Sequence, residues 1–244
     1  MANISKVIIT GAASGIGRAV AQVCLREGMT VLACDLNGEL LKELKCTEGA
    51  EGKVYTDQLD ISRYEEVCEW FDSLYAQHPD VDGLVNNAGI YLAKNLLDYR
   101  RDEIDRVLDV NIKGAVYCSQ LFGGRLLEER RAGAIVNLSS VSGMEGSSDA
   151  VYGLSKAAIL GLTKSCAMNF SPYIRVNAVA PTMVETAMMD AIPDWRKKEY
   201  LSHQLVPSPV LPEDVAESVL FLLSDKSRHY TGATFDINNG CYLR

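Results

Sequence analysis

With 244 residues, 48% of them hydrophobic and 23% charged, the chain has the make-up of a folded domain rather than a disordered segment. A domain of that length buries roughly 70–75% of its unfolded surface, so it needs no disulfide or metal staple. The 32 acidic and 24 basic residues leave a net charge of −8, which argues against nucleic acid or an anionic membrane as partner. In chain order, short β-branched runs alternate with longer stretches of helical periodicity. Strands are expected at residues 6–10, 30–34, 53–56, 83–85, 134–138, 174–178 and 233–237. Helices are expected at 15–27, 39–44, 63–76, 102–131, 151–169 and 212–223. Near-continuous hydrophobicity suits strands covered on both faces. The alternation implies right-handed βαβ units: an α/β fold, with a Rossmann-type doubly wound parallel sheet flanked by helices in a single domain, 1–244. Between 183 and 210 the rhythm breaks into a Met- and Pro-rich insertion carrying Trp195 and Tyr200. It reads as a substrate-binding segment, because loops at the carboxyl edge of such a sheet line the ligand crevice; a plain surface helix pair is the alternative.

The seven cysteines (Cys24, Cys34, Cys46, Cys68, Cys118, Cys166 and Cys241) are odd in number, and several lie in apolar runs. They read as reduced thiols packed as small hydrophobes. His78, His203 and His229 lack the spacing of a metal site, so no metal is expected. The chain enters its first strand without a charged leader or cleavage site, and no stretch approaches 18 unbroken apolar residues. A cytoplasmic protein is expected.

The run Thr10-Gly11-Ala12-Ala13-Ser14-Gly15-Ile16-Gly17 joins the first strand to the first helix. Its glycines let the backbone turn tightly and approach a pyrophosphate, whose oxygens would face the free N–H groups of the helix. The spacing is G-x-x-x-G-x-G, not G-x-G-x-x-G, and an ordinary tight turn is the bland alternative. Asp35 closes the second strand, where an acid accepts hydrogen bonds from the adenosine ribose and repels a 2′-phosphate. Coulomb's law puts that repulsion at about 1–4 kcal/mol for charges 4 Å apart. No Lys or Arg lies between Gly11 and Gly17 to offset it, so NAD is the expected cofactor.

These residues, with Asn86-Asn87-Ala88-Gly89, Asn111, Ser140 and Tyr152-x-x-x-Lys156, stand in the order and approximate spacing of the short-chain dehydrogenase/reductase family, which the whole chain resembles. Segments 212–216, 221–225 and 230–232 add to the likeness. The chemistry of the central pair stands without the name. Tyr152 and Lys156 lie four residues apart and share a helix face. A free tyrosine titrates at about 10; making it a base near neutral pH takes roughly 3–4 kcal/mol of phenolate stabilisation, which an ammonium and an oxidised nicotinamide would supply. The serines Ser139, Ser140 and Ser142 compete to bind the substrate oxygen after the fifth strand, and the resemblance selects Ser140. It also implies that Asn111 holds a water linking Lys156 to solvent, and that Lys156 holds the nicotinamide ribose. Tyr152 would then move the hydroxyl proton, with direct hydride transfer and no metal.

The resemblance further implies cofactor contacts. Ile16 lies against the phosphates with Gly11, Ser14, Gly15 and Gly17; Leu36 accompanies Asp35; Asp60 and Ile61 edge the adenine. Asn87, Ala88 and Gly89 lie beside the adenine ribose, and Pro181, Val184 and Thr186 follow the sixth strand. Two departures stand out: Pro181-Thr182 replaces the usual Pro-Gly, where a Cβ restricts the turn, and Asn238-Asn239-Gly240 replaces the usual Asp-Gly-Gly. Ser142, Met144, Met183 and Met188 are candidate substrate contacts, with Tyr91, Glu145, Met189 and Trp195 beside them. Glu145 either binds a substrate hydroxyl or faces water. The leading function is an NAD-dependent secondary-alcohol dehydrogenase or ketone reductase. The alternatives are an NADPH-dependent 3-oxoacyl carrier-protein reductase and a non-catalytic dinucleotide-binding regulator. Segments 102–131 and 151–169 resemble the helices through which family members pair, so a homotetramer is expected.

Overall fold

The computed structural model describes residues 4–47 and 50–244. Seven parallel strands make one sheet: β1 (Lys6–Thr10), β2 (Thr30–Asp35), β3 (Val54–Gln58), β4 (Gly83–Asn86), β5 (Gly133–Leu138), β6 (Ile174–Pro181) and β7 (Thr234–Ile237). Their order is β3-β2-β1-β4-β5-β6-β7, so strand order reverses between β1 and β4 and a crevice opens at the carboxyl ends there. The strands alternate their side chains between two cores. Val7, Ile9, Val31, Ala33 and Val85 face one side, with α1 (Gly15–Arg26), α2 (Gly38–Leu41) and α8 (Pro212–Leu223). Ile8, Leu32, Cys34, Leu84 and Ile135 face the other, with α3 (Tyr64–Gln77), α5 (Ala115–Glu128) and α6 (Ala150–Asn169). Because both faces are buried, the central strands read as continuous apolar runs instead of alternating ones.

The expected doubly wound sheet is therefore present, with differences at the ends of elements. The expected helix 102–131 is three pieces: α4 (Arg101–Leu108), a π-helical turn Asp109–Gly114, and α5. The expected helix 39–44 is the short α2 followed by a 3-10 turn, Lys42–Cys46. β6 runs on to Pro181, and the Thr182 N–H continues the ladder by donating to the Ile237 carbonyl at 2.9 Å. Segment 183–210 holds a 3-10 turn, Ala187–Ala191, and α7 (Asp194–Ser202), and is closed at its base by a parallel bridge between Val184 and Val210. All seven cysteines are free thiols. Among the described residues, no helix is long and apolar enough to cross a membrane.

Candidate active site

A cleft of about 690 Å³ opens over the carboxyl ends of β1, β4, β5 and β6. Its floor at one end is the glycine turn. Gly11 and Gly15 both take left-handed backbone angles, φ +67° and +52°. A Cβ on Gly11 would come within 2.7 Å of the Ala88 Cα, and one on Gly17 would strike the Gly11 carbonyl oxygen. Gly17 thus works from behind the cleft wall, holding the turn closed. The Ser14 side chain caps nothing in the first turn of α1. The N–H groups of that turn are thus left to a ligand, and the cradle fits an anionic pyrophosphate. Thr10 and Asn87 lock the two sides of the crevice. The Thr10 hydroxyl accepts from the Asn87 and Ala88 N–H groups at 3.1 and 3.2 Å, and the Asn87 amide donates to the Thr10 and Gly11 carbonyls at 3.0 and 2.9 Å.

Asp35, the last residue of β2, lines the cleft beside Leu36. Its Oδ2 accepts from the Ala13 N–H at 3.0 Å and its Oδ1 from the Asn37 N–H at 2.8 Å. Each oxygen keeps a further lone pair, enough for the two hydroxyls of a ribose. Arg63, a cation lining this cleft, is occupied by Glu66 at 2.9 Å and Asp60 at 3.8 Å. Asp60, Ile61, Asn87, Ala88, Gly89, Ile16, Pro181, Val184 and Thr186 all line the cleft. Thr182 lies outside the left-handed region, so its Cβ strains nothing there.

At the other end the catalytic candidates converge. Lys156 is buried, and its Nζ donates to the Leu138 carbonyl at 2.8 Å and lies 5.6 Å from the centre of the Tyr152 ring. Burial pushes the Lys156 ammonium down to about 8. Burial pushes the Tyr152 phenol up; a hydrogen bond from Ser140 pulls it the other way, while Tyr91, Asp149 and Tyr200 add to the rise. A base near neutral pH needs a lowered phenol; in the folded chain burial outweighs the Ser140 bond, so the protonated form is favoured. Asn111 lies on the π-helical turn behind Lys156. Its amide accepts from the Ile90 N–H at 2.8 Å and donates to the Ile90 carbonyl and the Ser155 hydroxyl, each at 3.0 Å. A Cβ on Gly89 would lie 3.5 Å from Lys156 Nζ and 3.4 Å from Asn111 Oδ1, so these three residues meet at one point.

The competing serines separate by contact. Ser139 turns inward and donates to the Lys156 carbonyl at 2.7 Å. Ser140 faces Tyr152, and its oxygen accepts from the Ser142 N–H at 3.1 Å. Gly143 lets the turn lie flat on α6, because a Cβ there would meet the Lys156 carbonyl carbon at 2.6 Å.

Of the candidate substrate contacts, Ser142, Met183, Met188, Met189 and Tyr91 line the cleft, but Met144, Glu145 and Trp195 do not. Ser142 lines the cleft from the middle of the 3-10 turn Val141–Gly143, and Met144 and Glu145 follow that turn outside the lining. Trp195, on the outer side of α7, is 67% exposed. Ile192, Ser147 and Arg106, which no motif marks, also reach the cleft, as does Tyr200, which the sequence marks only as part of the insertion. Tyr200 lies on the one helix of a segment whose sequence shows no periodicity to orient it.

A family model described as enoyl-(acyl carrier protein) reductase matches residues 11–242. The 3-oxoacyl-[acyl-carrier-protein] reductase of Thermotoga maritima is 38% identical over 239 residues, covering 97% of each chain. A (3R)-3-hydroxyacyl-CoA dehydrogenase of Canis lupus familiaris is 32% identical over 97% of this chain and 95% of its own. Two crystal structures from Brucella melitensis share the fold. One, titled short-chain dehydrogenase/reductase SDR:glucose/ribitol dehydrogenase, has TM-score 0.91 at 28% identity, covering 98% of this chain and 97% of its own. The other, a 3-oxoacyl-[acyl-carrier protein] reductase, has TM-score 0.89 at 34% identity, covering 98% and 92%.

Proposed function

Since the chain belongs to the short-chain dehydrogenase/reductase family of nicotinamide-dependent oxidoreductases, we propose that it interconverts 3-oxo and 3-hydroxy acyl thioesters, using NAD(H). The observation that carries this reading is the meeting of Tyr152, Ser140 and Lys156 at the end of a dinucleotide-sized cleft. The names of the relatives supply the substrate class: one set reduces a 3-oxoacyl thioester and another oxidises a 3-hydroxyacyl thioester, the same carbon in both directions. This narrows the broader secondary-alcohol reading toward the acyl-ketone alternative. The lining of Met183, Met188, Met189 and Ile192 suits an alkyl chain.

When bound, the nicotinamide gives or takes the hydride. Ser140 holds the substrate oxygen, and the Tyr152 hydroxyl delivers the proton to it as the carbonyl is reduced. A phenol that burial keeps protonated is suited to that direction. Lys156 and Asn111 stand behind Tyr152 on the path by which it is reprotonated, and Lys156 holds the nicotinamide ribose. Asp35 accepts the adenosine ribose hydroxyls and repels a 2′-phosphate, which favours NAD(H) over NADP(H). One unit carries both cofactor and substrate sites, in a cytoplasmic homotetramer. The outward side of α6, with Leu154 and Met168 exposed, supports association.

The test is reduction of acetoacetyl-CoA with NADH and NADPH side by side, in the wild type and Tyr152→Phe. The reading expects turnover with NADH preferred. It also expects a loss of about a hundred- to ten-thousandfold in the variant, with cofactor affinity retained. Preference for NADPH would overturn the role of Asp35. Undiminished turnover by the variant would remove Tyr152 from the mechanism; a wild type that binds cofactor but leaves the thioester untouched would favour another secondary alcohol or ketone as substrate, and one inert toward those as well a regulator.

A further inference from the structure

Asp149 is a fully buried carboxylate that the proton and hydride transfers do not use. Its Oδ1 accepts from the Tyr152 N–H at 3.0 Å and from the Tyr99 hydroxyl at 2.7 Å. Its Oδ2 accepts from the same hydroxyl at 2.9 Å and from the Lys94 N–H at 3.3 Å. The Lys94 ammonium turns away to Glu103, at 2.6 Å. Burying a carboxylate is costly, and it is tolerated where hydrogen bonds satisfy its oxygens. Here they draw together two segments distant in sequence: the 94–99 stretch and the first turn of α6.

That stretch continues a wall of the substrate end. Tyr91 packs its ring edge-on against the Tyr152 ring, with centroids 4.9 Å apart. Between Tyr91 and the Lys94 anchor, Ala93 is held at φ +57°, a conformation an alanine keeps only when its surroundings impose it.

We propose that Asp149 is a positioning residue of the active site, clasping the 94–99 segment to the start of α6 so that Tyr91 is held against Tyr152. The proposal rests on Tyr152 being the proton donor. The groups facing Tyr152 are Ser140 from the turn after β5, Tyr91 from the loop after β4, Tyr200 from α7, Asp149 from the cap of α6 and Lys156 from α6 itself. Asp149 is the anion in that set, and its charge resists ionisation of the phenol.

Two variants separate clasp from charge. Asp149→Asn keeps a good helix cap and an oxygen for the Tyr152 N–H, but it removes the charge and presents an amide donor to the other partners. Tyr99→Phe removes only the phenol bond. Both are expected to raise the KM for acetoacetyl-CoA about fivefold or more while the Kd for NADH stays put, and to speed hydrogen exchange at 94–99. Asp149→Asn alone should also move the pH inflection of kcat toward acid, by about half a unit or more. Wild-type KM, pH profile and exchange in both variants would overturn the proposal. Were the wild type inert toward the thioester, the functional reading would fall separately. Exchange at 94–99 and the pH profile with whichever ketone the enzyme does reduce would then decide the clasp.

Discussion

Lys156 sits beneath the active site as a buried cation, and burial alone accounts for its descent to about 8. In an unfolded chain a lysine titrates at about 10.4. Between those values the unfolded chain binds the proton more tightly, so this residue makes stability rise with pH across that window; below it the cost of the buried ammonium is felt in full. Removing the charge should therefore help the fold most where the charge is complete. In calorimetric scans without cofactor, Lys156→Met is expected to melt above the wild type at pH 7, and the gap should shrink as pH rises to about 10. A gap that widened would mean that a partner holds the ammonium above its unfolded value. Tyr152 works in the opposite sense, since burial raises its phenol: stability held below about pH 10 is lost above it, equally in both proteins. Fold and catalysis thus pull against each other at one residue.

Elements decide how finely the substrate end is shaped. Asn239 stands at φ +51° in the C-terminal tail, a conformation asparagine adopts with little strain. Its carbonyl accepts from the Leu205 and Val206 N–H groups at 2.7 and 3.1 Å, and its amide donates to the Gln204 side chain at 3.1 Å and the Ser208 carbonyl at 2.6 Å. The departure from Asp-Gly-Gly is thus a tie holding the base of the insertion. Asn239→Ala should raise the KM for acetoacetyl-CoA and lower stability by about 1–3 kcal/mol, with cofactor Kd unchanged, as titration and thermal melts would show. None of these ties is legible from spacing, because a side chain's partner 31 residues away leaves no local pattern. The strands and long helices were legible, since two-sided burial writes continuous apolar runs and helices write a period. The π-helical turn at 109–114 was not, for one widened turn preserves enough periodicity to read as a single helix. Asp149 carried a readable signal: an acid just before an apolar helix is a standard N-cap, and its side chain does accept from the Tyr152 N–H.

For the whole molecule, the glycine turn, Asp35 and the Tyr152–Lys156 pair were legible because each is a short motif, the first two at strand ends and the pair one turn apart on a helix. Their meeting in one cleft follows from strand order, which no single motif states. The outer face of α6 presents Leu154 at 59% and Met168 at 81% exposure, large apolar groups that association would cover. Met168→Arg is expected to yield a smaller species than the wild type in light scattering, with the fold retained. An unchanged mass would place the contact on another face, and a monomeric wild type would remove the tetramer. The reversal of strand order has a kinetic side. β1 and β4 pair directly although α1, β2, α2, β3 and α3 intervene, so this seam is expected to join late in folding, after its loop-closure entropy is met. The cofactor crevice lies along that same seam, bridged by Thr10 and Asn87. A dinucleotide seated across it would act as a rivet on the last joint to close, lengthening the lifetime of the native state far more than it hastens its formation.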